Sequence, residues 1–271
     1  MHCGRQSLKP LSAFSAAARR EVQGVFLDID DTLTTDGSLT AVAYAALENL
    51  AAAGLLTVPI TGRPAGWCDH IARMWPVAAV VGENGAFYFR YDRLRRTMHR
   101  RFLASDEERR ETRKRLENVK QAVLAEVPGS AVASDQHYRE TDLAIDFCED
   151  VERLPRSAVA RIVAIFEAAG ATAKVSSIHV NGWFGSYDKL GMTKILMREC
   201  FGIDLDVDKE RFVFVGDSPN DVPMFRYFPS SVGVANIRDF DEQLGAGPAY
   251  ICNERSGKGF VELADALLAV R

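Results

Sequence analysis

Asp28-Ile29-Asp30-Asp31-Thr32-Leu33 follows directly on the short apolar run Val25-Phe26-Leu27, and no other stretch restricts the possible folds as strongly. Three carboxylates in four residues are a costly way to finish a strand unless a cation or hydrogen-bond donors meet them. The C-terminal strand ends of a parallel α/β sheet supply that setting, because they open into the crevice where ligands bind. Side chains alternate along an extended backbone, so Asp28 and Asp30 lean to one side while Ile29 points into protein. Two carboxylates so placed suit phosphoryl transfer, one attacking phosphorus and the other handling the leaving-group proton. The alternative is a strand followed by an acidic turn, with Asp31-Thr32 capping a short helical turn.

Two more apolar runs end in the same manner. Val58-Pro59-Ile60 leads into Thr61-Gly62-Arg63, where a hydroxyl and loop N–H groups can hold a phosphate oxygen. Phe212-Val213-Phe214-Val215 leads into Gly216-Asp217-Ser218-Pro219-Asn220-Asp221, with two further carboxylates four residues apart. Each motif alone is common. Three strand ends in this order, with a lysine-bearing helix before the last, form a specific pattern.

With these residues in view, the sequence resembles the haloacid dehalogenase-like (HAD) superfamily of aspartyl-phosphate hydrolases. Asp28-Ile29-Asp30-Asp31-Thr32 matches its motif I, Thr61-Gly62-Arg63 its motif II and Gly216-Asp217-Ser218-Pro219-Asn220-Asp221 its motif IV. Gly82-Glu83-Asn84-Gly85-Ala86 is similar to the Glu-Asn-Gly-Ala segment of the branch with a large α/β cap between motifs II and III. That branch includes Cof-like sugar phosphatases, sucrose-phosphate phosphatase, mannosyl-3-phosphoglycerate phosphatase and phosphomannomutase. One departure is Asp31, where glycine is frequent. The resemblance implies an α/β fold, a Rossmann-like parallel-sheet core with an inserted α+β cap. The core would comprise residues 21–89 and 188–271 and the cap residues 90–187, with residues 1–20 as an N-terminal extension.

The resemblance also assigns roles. Asp28 would be the nucleophile, forming an acyl phosphate that water hydrolyses. Asp30 would protonate the departing alkoxide and then deprotonate the water. Attack by an anion on a phosphate dianion needs positive charge nearby, and hard oxygen ligands without soft donors point to Mg²⁺. Its ligands would be the Asp28 carboxylate, the Asp30 main-chain carbonyl and the Asp217 carboxylate, with Asp221 behind them orienting the lysine or a metal-bound water. Thr61, Gly62, Asn84 and Asn220 would meet phosphate or substrate. Arg63 is read equally as a substrate clamp or a structural ion-pair partner. Motif III needs a lysine, and Lys189 and Lys194 lie on one helix; Asp188-Lys189 to Phe201-Gly202 matches the usual helix length of the family, so the resemblance favours Lys189, with Lys194 on the solvated face.

A chain of 271 residues fits two domains better than one. Hydrophobic residues make up 47% and the mean hydropathy is −0.09, values of a soluble globular protein without an apolar run long enough to span a bilayer. The stretch Leu11 to Ala18 is too short and too interrupted by Pro10 and Arg19-Arg20 for a signal peptide, and reads as a frayed or helical extension. Cys3, Cys68, Cys148, Cys200 and Cys252 are odd in number and scattered, which points to a reducing cytoplasm over a disulfide framework or zinc site. A net charge of −4 gives no global reason to expect nucleic-acid binding.

Strand and helix patterns alternate at both ends of the chain. Ser38 or Thr40 caps a helix stopped by Gly54, and Leu56 to Ile60 form a strand in which Pro59 calls for a bulge. From Arg90 to Lys120 there are twelve Arg and Lys against six Asp and Glu, with a surface helix at 107–126. Strands at 143–147 and 174–180 and a helix at 158–169 complete the insert. In the last strand His179 and Asn181 share a face and are candidates for reaching the cleft, with an edge histidine as the other reading. Arg139-Glu140-Thr141-Asp142 is either a sugar-binding segment or a polar turn. Trp67 and Trp183 either line a sugar site or pack in the core. The resulting expectation is a cytoplasmic Mg²⁺-dependent phosphatase of a small phosphorylated metabolite, most plausibly a sugar phosphate, with no nucleic-acid or membrane partner. A phosphomutase on the same scaffold is the enzymatic alternative. A regulatory protein that binds a polyanion through the basic insert is the non-enzymatic one. No motif sets the oligomeric state.

Overall fold

The three apolar runs that end in polar motifs become adjacent parallel strands. The computed structural model describes residues 8–176, 178–240 and 247–271, so Cys3 and the first residues of the extension lie outside the described residues. Its core is a six-stranded sheet in the order β1 (Lys9–Pro10), β13 (Tyr250–Ile251), β12 (Ser230–Gly233), β11 (Phe212–Gly216), β2 (Gly24–Leu27) and β3 (Leu56–Pro59). Every neighbouring pair is parallel. Strands of such a sheet are covered on both faces, which explains their unbroken apolar sequences. Val25, Leu27, Val213 and Val215 join one apolar cluster with residues of α2 (Ala41–Ala52) and α9 (Ser256–Leu268). Phe26, Phe212 and Phe214 point the other way, into a cluster with α6 (Lys189–Phe201), Leu205 of α7 (Leu205–Asp208) and α8 (Val222–Tyr227). Chain connections run outward from β2 to β3 on one side and from β11 to β12 on the other. The β2–β11 junction is therefore the switch point at which such sheets bind ligands.

The Thr40 hydroxyl caps α2 by accepting from the Ala43 N–H. Pro59 needs no bulge. It lies in the outermost strand of the sheet, and because Ile60 N–H donates to Leu27 O, the proline nitrogen faces the other edge, where it withdraws no bond from β2. In the described part of the extension, read as frayed or helical, Lys9–Pro10 adds a strand to the core sheet, Leu11 and Phe14 are buried in the core, and the 3₁₀ turn Leu11–Ala13 and α1 (Ala16–Glu21) match the helical reading.

After α3 (Ala65–Met74) the chain forms a three-stranded antiparallel sheet of β4 (Val80–Gly82), β5 (Phe87–Asp92) and β6 (Thr97–Phe102). Residue 90, where composition placed the start of the cap, therefore falls inside a strand. Phe87 and Phe89 of that strand pack against α3. The cap has its own sheet, in the order β7 (Ala131–Val132), β8 (Leu143–Asp146), β10 (His179–Trp183), β9 (Thr172–Val175), backed by α4 (Asp106–Glu126) and α5 (Arg156–Ala168). The single strand expected over 174–180 is instead the hairpin of β9 and β10, antiparallel with Lys174 opposite Asn181. Val180, Ile145 and Leu143 join the apolar cluster with α4 and α5. His179 and Asn181, one residue out of phase, occupy the opposite face.

Candidate active site

At the β2–β11 switch point Asp28, Asp217 and Asp221 offer carboxylate oxygens that all lie within 4.8 Å of one another. A single lysine answers them. Lys189 Nζ donates to Asp28 Oδ1 at 2.8 Å and to Asp221 Oδ1 at 3.0 Å. Lys189 is the first residue of α6, whose N-cap Asp188 accepts from Gly191 N–H. Two glycines permit this packing. A Cβ on Gly85 would come within 2.0 Å of the Asp188 carbonyl oxygen, and one on Gly216 within 2.3 Å of Asp221 Oδ2. Without the latter, Asp221 reaches back to accept from Asp217 N–H at 3.2 Å. Both Asp221 oxygens are thereby engaged. Lys194 instead pairs with Asp206 at the surface.

Charge is unbalanced in this pocket. Burial pushes the Asp28 carboxyl up to about 7; Lys189 pulls it down, and Asp221 and Asp30 add to the rise. Burial, then Asp221 and Asp28, push Asp217 well above the carboxylate range. Burial opposes the charge on Lys189, yet Asp221 and Asp28 hold its pKa above the ordinary value. Three buried acids around one ammonium fit a divalent cation, and the donor set is all hard oxygen. Asp28 and Asp217 carry the carboxylates suited to hold it, since Asp221 is committed to Lys189 and to Asp217 N–H.

The Asp30 carboxylate is not part of that cluster. Arg63 Nε contacts both its oxygens, at 3.0 and 3.1 Å, and Nη2 donates to Oδ1 at 2.7 Å. Of the two readings of Arg63, the structure displays the ion-pair partner, with the guanidinium also over the Trp67 ring at 4.5 Å. Arg63 Nη1 lies 3.6 Å from Glu149 and 3.8 Å from Asp135, both in the cap. Asp31 adopts φ 57°, the left-handed region, which accounts for the frequency of glycine at that place in the family pattern.

A partly open pocket of about 40 Å³ lies between core and cap. Asp28, Asp30, Gly62, Arg63, Asn84, Lys189, Asp217 and Asn220 face it from the core, and His179 and Asn181 from the cap. Thr61 and Asp221 are fully buried and not part of this wall; the Thr61 hydroxyl oxygen accepts from Arg63 N–H. Asn84 is 5% exposed and its side-chain nitrogen has no hydrogen-bond partner among the described residues. His179 Nε2 lies 2.8 Å from Glu149 Oε2, and Asn181 Nδ2 donates to Asp142. The bond from His179 is the main cause holding Glu149 below the ordinary carboxylate range.

Neither sequence reading of Arg139 to Asp142 anticipated what the fold does with them. Arg139 is a buried hub that donates to Asp135, to Asp142 and to the Gly62 carbonyl at 3.0 Å, and it also faces the cavity. Lys174 and Ser176 likewise face the cavity without having been singled out. Trp67 is partly exposed and Trp183 is buried, stacked on Tyr187; among the described residues no tryptophan lines the cavity. In the basic segment Arg109 pairs with Asp106, Arg113 with Glu140, Lys114 with Glu111 and Lys120 with Glu117.

No family model matches the chain. It is 26% identical over 254 residues to the phosphoglycolate phosphatase of Methanothrix thermoacetophila, covering 92% of this chain and 98% of that protein. Among solved structures, the trehalose-6-phosphate phosphatase C-terminal domain of C. albicans superposes with a TM-score of 0.71 at 13% identity, covering 98% of this chain and 99% of that one. A haloacid dehalogenase-like hydrolase from Bacteroides thetaiotaomicron superposes with a TM-score of 0.63 at 15% identity, covering 92% and 100%. These likenesses establish the fold. The chain has the haloacid dehalogenase-like architecture, a parallel α/β core with an inserted α+β cap, as its motifs implied.

Proposed function

We propose that this chain is a Mg²⁺-dependent phosphomonoesterase acting through an aspartyl phosphate. The observation that carries the reading is Lys189 bonded to Asp28 and Asp221 beside Asp217, at the switch point of a parallel sheet and facing a partly open polar pocket. An Asp28 oxygen attacks phosphorus, the ester oxygen leaves with a proton from Asp30, and water then cleaves the acyl phosphate to release orthophosphate and restore Asp28. Lys189 offsets negative charge on the phosphoryl oxygens, and the Gly62 N–H and the Asn84 side-chain amide are the donors proposed to bind them. Mg²⁺, held by Asp28, Asp217 and the Asp30 main-chain carbonyl, would neutralise charge on the phosphoryl group. For proton transfer Asp30 must release at least one of its Arg63 bonds.

The relatives named phosphoglycolate phosphatase and trehalose-6-phosphate phosphatase support a small phosphorylated metabolite, and the second supports a sugar phosphate. Free thiols at Cys68, Cys200 and Cys252 support a reducing cytoplasm. The test is phosphate release from a panel of phosphorylated metabolites. Activity should vanish with EDTA, return with Mg²⁺ and be lost in Asp28→Asn. Full turnover in excess chelator would refute the metal, substantial turnover by Asp28→Asn would refute the nucleophile, and isomer formation without phosphate release would identify a mutase.

A further inference from the structure

Glu83 is a fully buried carboxylate outside the reacting cluster, and every hydrogen bond it accepts crosses between segments. Its Oε1 accepts from the Ala65 N–H at the start of α3 (3.0 Å) and from the Glu140 N–H of the cap (2.9 Å). Its Oε2 accepts from the Thr141 N–H (2.6 Å) and from the Thr141 hydroxyl. An ionised carboxylate is acceptor-only and suits three backbone N–H groups and a hydroxyl; burial, then Asp142, push the Glu83 carboxyl up to about 7, while Arg139 and these bonds pull it down. The backbone here is held in an unfavourable conformation: Glu83 has φ 42° and Asn84 φ 56°, left-handed values in consecutive residues that are not glycine. Their N–H groups donate to Arg63 O and Thr61 O, so the same dipeptide braces the loop that carries Gly62.

The cap turn that Glu83 grips is itself wired to the cavity. Arg139, one residue before Glu140, donates to the Gly62 carbonyl and to Asp142, and Asp142 accepts from Asn181. Next to it, Tyr138 lies against Gly66, where a Cβ would come within 2.9 Å of the tyrosine side chain. We infer that Glu83 is a positioning residue that seats the cap turn 139–141 on the core, setting the Thr61–Arg63 loop and the cap wall of the cavity in register with each other. The inference rests on the phosphatase reading for its kinetic consequence and on the geometry alone for the seating.

Glu83→Gln keeps the shape but turns an amide N–H₂ toward donors, and Thr141→Val removes one bond without touching the buried carboxylate. Two readouts are paired: hydrogen exchange at the Glu140 and Thr141 amides, and kcat/KM on the best metabolite of the panel against p-nitrophenyl phosphate. Glu83→Gln should speed exchange at both amides about tenfold or more, and lower kcat/KM on the metabolite roughly 10- to 100-fold, with a loss on p-nitrophenyl phosphate at least several-fold smaller. Thr141→Val should move both readouts in the same direction by less, and decides the matter if Glu83→Gln does not fold. Unchanged exchange at 140 and 141 overturns the seating role. Accelerated exchange with equal losses on the two esters overturns the positioning role and leaves a structural one. If the wild-type chain releases phosphate from no ester, the phosphatase reading fails, while the exchange experiment still decides the seating.

Discussion

Removing the ammonium of Lys189 should be damaging in two separable ways. Lys189 Nζ lies 2.8 Å from Asp28 and 3.0 Å from Asp221, with the three side chains buried. Lys189→Met preserves most of the side-chain volume and leaves those carboxylates beside Asp217 with no counter-charge. Breaking a buried ion pair by deleting one partner costs about 3–5 kcal/mol, because the other charge stays desolvated. Against a typical stability of about 5–15 kcal/mol that is a large fraction. Metal-free urea unfolding of the full chain should therefore show a loss of about 3–5 kcal/mol. Mg²⁺ should restore part of it, because a cation bound to the folded state stabilises by mass action. Turnover should fall by about 10²–10³, the scale for losing one preorganised charge in a dry site. Lys194→Met is the control: its partner Asp206 is exposed, and neither stability nor turnover should change appreciably. A Lys189→Met variant within about 1 kcal/mol of wild type without metal, and within about tenfold of its turnover, would refute the reasoning.

Three further outcomes are expected. The Asp28 carboxyl is raised by burial from 3.8 to about 7, so its contribution to metal-free stability is complete below the lower value and fades as pH rises toward the upper one. Because a cation must displace that proton, the rise in melting temperature caused by Mg²⁺ should be larger at pH 8 than at pH 5; equal shifts would count against a shared site. Asp30→Asn should lower turnover by about 10²–10⁴ and slow hydrolysis of a trapped phospho-enzyme, and wild-type rates would move proton transfer elsewhere. His179→Ala and Asn181→Ala should reduce kcat/KM roughly five- to hundredfold on the true substrate and distinctly less on p-nitrophenyl phosphate; an equal loss on both would assign them to the core chemistry or the fold.

Much of the core was legible before any coordinates, for a physical reason particular to each element. An apolar run buried on both faces must end in polar residues where the sheet opens, so Asp28, Gly62 and Asp217 could be assigned to one edge from their positions after Leu27, Ile60 and Val215. Lys189 could be preferred over Lys194 only through the resemblance, whose usual helix length from the motif III lysine matches Lys189–Phe201. The composition shift at Arg90 falls inside one element, since Phe87 to Asp92 is a single strand that carries buried aromatics at one end and charge at the other. The hairpin of β9 and β10 was read as one strand because extended residues on both sides of a turn share the same alternation.

The chain's own order of residues pointed to a parallel α/β sheet with acids at its strand ends, because these follow from local periodicity and from where charge can be tolerated; the lysine that answers them came from the resemblance of the motif pattern. The tertiary structure alone decided which of those acids meet which cations. Arg63 turns to Asp30 across 33 positions, Lys189 to Asp28 across 161, and Thr141 to Glu83 across 58. Arg139, Glu149 and Asp135 are ordinary polar residues of the insert in sequence, and become part of the wall and wiring of the cavity only when the cap sheet turns its polar face to the core. No spacing rule encodes such pairs. Their partners are chosen by desolvation, which acts only after the chain has closed around them.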